Sequence, residues 1–251
     1  MFSKGNCVSN IGDMCGRYSL YAPKVAFEAY YDLEIPGECW GEAKYNVTPG
    51  AQCPVIIYDF NNAKRLAASM QWGFVPHWSN SGKAQINARV ETIHEKPSFR
   101  ESFASKRCLV LANSFFEWFY DGSDPAPQRV MLGQASVVTM AGIWDQHITK
   151  DGKIQRTFAI VTTKACSKVS HIHPRMPLIL TKNMQSHWLA DKNLSVDALH
   201  LYAKELDDNL DRYIEYHPVT RKVGKNSFNE SAALAPCYHE KKPQKIQTSL
   251  F

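Results

Sequence analysis

Strand-like runs of β-branched and aromatic residues recur along this chain, and helix-like segments are scattered among them without regular alternation. The clearest runs are bounded by Gly, Pro or polar clusters and read C-P-V-I-I-Y, C-L-V-L-A-N-S-F-F-E-W-F, S-V-V-T-M-A-G-I-W, T-F-A-I-V-T-T and M-P-L-I-L. Strict β-α-β alternation is missing, so the pattern favours an α+β fold with a mixed sheet that curls toward a barrel.

Four segments have helix-like patterns. They are K-V-A-F-E-A-Y-Y, the run F-R-E-S-F-A-S-K behind a capping box of Ser98 and Glu101, T-K-N-M-Q-S-H-W-L-A, and V-D-A-L-H-L-Y-A-K-E-L behind a Ser195 cap. The sequence has no internal repeat, low-complexity tract or long linker. We therefore expect a single domain, with helices flanking the sheet.

Composition narrows the class of protein. The 251 residues are 44% hydrophobic and 21% charged, which is typical of a globular chain and excludes general disorder. A net charge of +5 indicates a mild preference for an anionic partner. The seven cysteines are scattered, with no C-x-x-C pair, which argues against a disulfide framework or a structural zinc site. Apolar runs fall short of the roughly 20 residues of a membrane span. We expect a cytoplasmic protein with no membrane partner.

Glu117 is the first candidate for chemistry, because it interrupts the apolar run S-F-F-E-W-F. In an extended segment its neighbours Phe116 and Trp118 point to the opposite face of the sheet. A carboxyl among such residues requires a partner or a function. The alternative is a strand glutamate on a solvated face, which antiparallel sheets often have.

The segment V-S-H-I-H-P-R-M-P contains His171, His173 and Arg175. Pro174 favours an extended backbone at His173, so the two rings are expected to share a face. A two-histidine metal site lacks a clear third ligand, and rings held by local hydrogen bonds are the favoured interpretation; no metal is expected. Arg175 suits either a phosphate or a structural carboxylate.

The segment I-N-A-R-V-E-T places Asn87, Arg89 and Glu91 at a period of two, on one face of an extended stretch. Such a row is either a structural hydrogen-bond ladder or part of a site.

Taken together, these segments resemble the ordered signature blocks of the SRAP family, the SOS-response-associated peptidases that shield abasic sites. The matching blocks are M-C-G-R-Y, Y-N-V-T-P-G, M-Q-W-G-F-V-P-H-W, I-N-A-R-V-E-T, R-C-L-V-L-A-N-S-F-F-E-W, A-G-I-W-D, F-A-I-V-T-T and H-P-R-M-P. The resemblance runs from Cys15 to about His217 and implies one compact α+β domain around a barrel-like sheet, with a positively charged groove for DNA.

The resemblance also implies a reaction. An N-terminal cysteine attacks the aldehyde of a ring-opened abasic sugar with its α-amine to give a Schiff base, and its thiol then closes a thiazolidine ring. By this resemblance Cys15 supplies both nucleophiles, Asn87 holds the cysteine and the sugar, and Glu117 and His173 move protons. No cofactor is implied.

The implied partner is single-stranded DNA that contains abasic sites, with no obligate protein partner. Arg17 and Arg89 would contact phosphates, Trp78 with Pro49 would stack against bases, and Arg175 is a further DNA contact. The alternative is that Trp78 belongs to the core and that the arginines are paired within the protein.

The start of the chain departs from the family pattern, because residues 1–13 and Met14 precede Cys15. With that extension in place the amine of Cys15 is an amide and cannot attack an aldehyde. Either translation starts at Met14 or the protein cuts the extension off itself. We therefore divide the chain into an extension at residues 1–13 that is absent from the mature protein, an SRAP domain at 14–230 and a tail at 231–251.

Two other functions fit the same residues. Cys15, His173 and either Asn87 or Glu117 are the residue types of a cysteine hydrolase that cleaves added peptides. A non-covalent module for single-stranded DNA would use the polar residues only as contacts. A DNA-binding role would place the protein at the nucleoid if the source is bacterial.

Overall fold

A computed structural model describes residues 16–79, 83–120, 124–133, 135–149, 151–192, 194–195, 197–199, 201, 204 and 212–238. Within them the strands are β1 (Arg17–Leu20), β2 (Lys44–Val47), β3 (Gln52–Asp59), β4 (Lys64–Trp72), β5 (Asn87–Arg89), β6 (Arg107–Ala112), β7 (Ser114–Phe119), β8 (Ala126–Leu132), β9 (Val138–Ile148), β10 (Ile154–Lys164), β11 (Arg175–Pro177) and β12 (Ile214–Pro218). The α-helices with full bounds are α1 (Lys24–Tyr31), α2 (Arg100–Ser105) and α3 (Lys182–Ala190). Short 3-10 helices span Gly37–Cys39, Arg221–Gly224 and Ser231–Ala233.

Five strands close into a barrel. Their order is β10-β4-β3-β6-β9, and β9 pairs back onto β10 to complete the ring. The β10–β4 pair is parallel and the other four pairs are antiparallel. β5 and β11 add to β10 beyond the ring, the first parallel and the second antiparallel. The α+β fold with a mixed, barrel-like sheet expected from the sequence is confirmed.

A second, antiparallel sheet has the order β12-β8-β7-β1-β2. Its inner face contributes Tyr18, Phe115 and Val130 to the main hydrophobic core, which also contains the barrel residues. Its outer face carries Phe116, which packs in a separate cluster with Val219 and other residues of the C-terminal segment. Both faces of this sheet are therefore covered where β7 passes through it.

The predicted helices are largely confirmed. α1 and α3 coincide with the expected segments, and Ser195 caps the following helix by accepting a 3.1 Å hydrogen bond at Oγ from the backbone N–H of Ala198. Much of the predicted segment V-D-A-L-H-L-Y-A-K-E-L lies outside the described residues. The capping box at α2 is wrong, because Phe99 occupies the cap position and no side-chain hydrogen bond is made there.

The run C-L-V-L-A-N-S-F-F-E-W-F is two strands rather than the single strand expected. β6 belongs to the barrel and β7 to the second sheet, with Asn113 between them. Oδ1 of Asn113 accepts hydrogen bonds of 2.6 and 3.1 Å from the backbone N–H groups of Tyr21 and Ala22. This change of sheet carries Glu117 out of the barrel wall and onto the sheet beside it. No helix in the described ranges has the length and apolar character to cross a membrane.

Candidate functional site

Glu117 lies in the middle of β7, with a residue exposure of only 4%. Phe116 beside it belongs to the outer cluster and Trp118 packs against the same cluster. The expected orientation, with both aromatic neighbours opposite the carboxyl, is therefore confirmed. Because Glu117 is buried, the alternative of a strand glutamate on a solvated face is wrong.

His173 faces Glu117 from the segment that precedes β11. Oε1 of Glu117 lies 3.9 Å from Nδ1 of His173, which is ion-pair distance and longer than a hydrogen bond. The same Nδ1 lies 2.9 Å from the carbonyl oxygen of Arg175 and 3.1 Å from its backbone nitrogen. The ring is therefore fixed by the backbone of β11. Both side chains line a small, mainly apolar cleft with Phe115, Val130, Val169, Ile172, Arg175 and Met176.

Arg175 is joined to a carboxylate. Its Nη1 and Nη2 donate to the two carboxylate oxygens of Glu91 at 2.6 and 2.9 Å, and Nη2 also donates to the carbonyl oxygen of Thr162 at 2.7 Å. Of the two roles expected, the structural carboxylate is present. A phosphate contact by Arg175 stays a prediction. Nothing in the sequence pattern indicated a role for Thr162, which belongs to the T-F-A-I-V-T-T run.

Asn87 and Arg89 are the two ends of β5, which pairs with the last part of β10. Asn87 is 7% exposed, whereas Arg89 is exposed. Arg89 pairs in register with Thr162, the residue whose carbonyl also accepts from Arg175. β5 and β11 thus bring these polar residues to the same end of β10.

Arg17, expected to contact phosphate, is engaged inside the protein. Its guanidinium donates to the carbonyl oxygens of Val223 at 2.8 Å and Gly224 at 2.9 Å, and to Oδ1 of Asn226 at 2.6 Å. The residue is 9% exposed, and burial lowers the pKa of its side chain from the usual value. These bonds join β1 to the C-terminal segment. A phosphate contact by Arg17 stays a prediction.

Trp78 is 54% exposed, so the alternative that it is a core residue is wrong. Pro49 is also exposed. The backbone N–H of Gly50 donates to the carbonyl of Trp72 at 2.7 Å, so the turn after Pro49 is attached at the end of β4, where the segment leading to Trp78 begins. Gly50 has a φ of +89°, a conformation that favours glycine.

His77, the residue before Trp78, is bound in a charged cluster with Asp145 and Lys106. The sequence did not indicate this cluster. Oδ2 of Asp145 accepts 2.9 Å hydrogen bonds from the backbone N–H and from ring Nδ1 of His77, and Oδ1 accepts one of 2.7 Å from Nζ of Lys106. Asp145 is 2% exposed. Burial by itself raises the pKa of this carboxyl, but the hydrogen bonds from Lys106 and His77 outweigh it, and the pKa lies below its usual value.

His171 and His173 have different neighbours. The His171 ring lies between Phe119 and Tyr216, at centroid distances of 6.1 and 5.4 Å. Among the residues that the structure describes, no group of three His, Cys, Asp or Glu side chains could hold a metal ion.

Cys15 lies outside the described residues, and the first described strand begins two positions after it. In β1, Arg17 pairs with Phe116 of β7 and Tyr18 pairs with Phe115. The antiparallel register therefore runs the start of β1 alongside Glu117.

Known proteins resemble this chain over most of its length. A family model described as SOS response associated peptidase (SRAP) matches residues 14–226. The abasic site processing protein YoqW of Bacillus subtilis (strain 168) is 36% identical over 208 residues, which cover 80% of this chain and 91% of the relative. The abasic site processing protein HMCES of Rattus norvegicus is 29% identical over 273 residues, covering 89% of this chain and 76% of the relative.

A solved structure of a protein from Bacteroides thetaiotaomicron has the same fold, with a TM-score of 0.76 and 26% identity, and the match covers 89% of this chain and all of that one. The match to the family model, the curated relatives and this structural likeness agree with one another. The chain belongs to the SOS response associated peptidase (SRAP) family.

Proposed function

We propose that this protein processes abasic sites by crosslinking covalently to them in single-stranded DNA, through Cys15 as the first residue of the mature chain. Its relatives in Bacillus subtilis and Rattus norvegicus are named abasic site processing proteins. The reaction needs an amine and a thiol on one residue, and only an N-terminal cysteine has both.

One observation carries this proposal, namely the Glu117–His173 pair beside the strand that follows Cys15. Glu117 follows Phe116, the register partner of Arg17, so its carboxyl lies beside the beginning of β1. Two proton carriers 3.9 Å apart are thus available beside the strand that follows Cys15 in the chain. A non-covalent DNA-binding module does not require the start of the chain to be there. A cysteine hydrolase would also need Cys15 beside His173, so its activity on added peptides is what separates it from the proposed reaction.

The chemistry has two balanced steps. The α-amine adds to the aldehyde carbon of the open sugar, and loss of one water gives the imine. The thiol then adds to the imine carbon, its proton passes to nitrogen, and the thiazolidine ring closes without a leaving group. The free amine has an ordinary pKa of roughly 7.7 to 8.0, so a useful fraction is nucleophilic near neutrality.

Glu117 and His173 supply the proton transfers. Water can leave the carbinolamine only after its hydroxyl is protonated, while the amine must lose a proton, so one acid and one base are required. The apolar cleft around the pair limits competition from bulk water. Asn87, buried on β5, positions the cysteine and the sugar.

Exposed side chains are assigned to hold the DNA. We assign phosphate binding to Arg89, because it is exposed, and to Arg175, which bonds to Thr162, the register partner of Arg89. Trp78 and Pro49 offer exposed surfaces against which bases can stack. The guanidinium of Arg17 donates to internal acceptors, so we assign it the role of fixing β1.

The test is incubation of the chain beginning at Cys15 with a single-stranded oligonucleotide carrying one abasic site, followed by a denaturing gel. A heat-stable adduct is expected. Cys15→Ala keeps the terminal amine, so it should form only an imine, which reduction with borohydride traps. Cys237→Ala is the matched control and should crosslink normally. A heat-stable adduct of unchanged yield in Cys15→Ala would contradict the proposal.

The same residues could also cleave the chain's own leader, residues 1–14, and this self-processing would be a peptidase reaction. The thiol of Cys15 can attack the carbonyl of Met14, transferring the acyl group from nitrogen to sulfur, and water then hydrolyses the thioester to release the leader and free the amine. The mass of the full chain should fall over time by that of residues 1–14, and the Cys15→Ala chain should keep its mass. A conventional cysteine hydrolase would instead cleave added peptides with the leader still attached.

A further inference from the structure

Three aromatic rings lie beside the candidate site and have no part in the reaction proposed above. Phe119 ends β7, His171 lies in the turn before His173, and Tyr216 lies in β12. The ring centroids of Phe119 and His171 are 6.1 Å apart at 64°, and those of His171 and Tyr216 are 5.4 Å apart at 61°. We name these three residues the aromatic row.

The sheet register puts the aromatic row on the face that carries Glu117. Phe119 follows Glu117 by two positions in β7, so both side chains leave the same face. Val130 pairs with Phe115 on one side and with Tyr216 on the other, so Tyr216 shares that face as well. Phe115 and Val130 line the cleft of Glu117 and His173. The aromatic row therefore continues the floor of the candidate site toward the β12 edge.

The rings of the aromatic row remain accessible to solvent. Tyr216 is 39% exposed, His171 is exposed and Phe119 is partly buried. By comparison, Phe74 and Phe99 form an aromatic pair in the core, and their side chains are buried, with exposures of 0% and 2%. A group of exposed rings that borders a site is typical of a surface that takes up another flat apolar group.

On the β5 and β11 side of the Glu117–His173 pair, Arg89 is exposed, whereas the charge of Arg175 is paired with Glu91. A DNA strand laid across the pair thus meets the guanidinium of Arg89 on one side and aromatic rings on the other. Phosphates suit the first surface and bases the second. Two residues along a strand span about 7 Å, so the aromatic row begins about one extended nucleotide away from Glu117.

We propose that the aromatic row binds the nucleobase next to the abasic site by stacking. This inference rests on the function proposed above and adds a requirement to it, namely that the lesion is bound together with one intact neighbouring base. Stacking is tolerant of base identity, because every base has a π-face. The site therefore prefers a lesion flanked by a base over one flanked by a second baseless sugar, whatever the surrounding sequence.

The test compares oligonucleotides with one abasic site in which the 5′ or the 3′ neighbour is either a normal nucleotide or tetrahydrofuran, an unreactive sugar without a base. The chain beginning at Cys15 should bind roughly 5- to 100-fold more weakly when the base is removed on one of the two sides. Tyr216→Ser should bind the intact DNA as weakly as the parent binds the baseless one, and it should no longer distinguish the two. Tyr216→Phe keeps the ring and should behave as the parent does.

Tyr213→Ser is the matched control, because Tyr213 is 63% exposed just before β12 and lies outside the aromatic row. It should leave the preference intact. Equally tight binding of the DNAs with a base or tetrahydrofuran on either side of the lesion, with crosslinking intact, would overturn the inference while leaving the proposed function standing. Absence of crosslinking to every abasic DNA would instead overturn the proposed function. The comparison of DNAs needs only the parent protein, so it stands even if a substituted chain fails to fold.

Discussion

Oε1 of Glu117 and Nδ1 of His173 lie 3.9 Å apart in a cleft whose other walls are mainly apolar. In the reaction proposed above the two groups act on the aldehyde and its imine, so Glu117→Gln and His173→Ala should each slow crosslinking by roughly 100-fold or more. Binding to undamaged single strands should change little. Single-turnover gels measure the first effect and fluorescence anisotropy the second.

Glu215→Gln and His187→Ala are matched controls, since both residues are exposed on other elements. They should crosslink at the parent rate. Equal losses of binding and of crosslinking rate in Glu117→Gln would show that the carboxyl contacts DNA rather than moving protons.

Arg17 and Arg89 were both predicted from the sequence to contact phosphate, but substituting them should have different effects. Arg89 is exposed, so Arg89→Ala should weaken binding to damaged and undamaged strands alike and lower the salt dependence by about 0.7 for one lost phosphate contact. Arg17→Ala removes the donors to Val223, Gly224 and Asn226, and should destabilise the fold by about 2 kcal/mol or more. Binding titrations at several salt concentrations and urea unfolding give the two quantities. A reduced salt slope with unchanged stability in Arg17→Ala would restore Arg17 to the phosphate contacts.

Asp145 should make the stability of the protein depend on acidic pH. Its pKa in the fold is lowered, so its carboxylate stabilises the folded state above the ordinary Asp value of about 4, and this contribution is lost as the pH falls through the lowered value. Asp145→Asn should therefore be less stable than the parent at pH 7, and the gap should shrink toward pH 3. Urea unfolding across this range measures it. A gap that stays constant with pH would mean that the charge of Asp145 is not what stabilises the fold.

Buried thiols should be inert in the folded protein. Burial raises the pKa of Cys53 to about 11 and raises that of Cys108 as well, so very little thiolate forms on either at pH 8. Among the cysteines that the structure describes, the partly exposed Cys237 should be modified by iodoacetamide before Cys53 and Cys108, as read by peptide mass spectrometry. Labelling of Cys53 or Cys108 at the rate seen after unfolding in urea would contradict this. Loss of crosslinking under mild alkylation can then be attributed to a cysteine outside the core.

Sequence patterns predicted the strands whose residues are buried and β-branched, such as the centres of β3, β9 and β10. They did not indicate β4, because K-R-L-A-A-S-M-Q-W mixes charged, small and apolar residues without clear alternation. The sequence patterns also did not predict that the chain changes sheets at Asn113, because its hydrogen-bond partners Tyr21 and Ala22 lie more than 90 positions away in the chain. The pattern of residues in a short segment indicates whether that segment is buried. A change from one sheet to another depends on contacts with residues far away in the sequence, so the pattern does not predict it.

The same division holds for the site. An isolated polar residue in an apolar run was sufficient to predict the orientation of Glu117. The bond between Arg175 and Glu91 joins positions 84 apart, and the bonds of Asp145 to His77 join positions 68 apart, so neither could be deduced from spacing along the chain.

The hydrogen bonds from Arg17 to residues 223, 224 and 226 tie the beginning of the domain to one of its last described turns. During synthesis these carbonyl groups leave the ribosome after nearly all of the two sheets has been made. β1 is made first, but it gains this anchor only after residues 223–226 have been synthesised. Nascent or truncated chains that stop before residue 223 would lack these hydrogen bonds to β1.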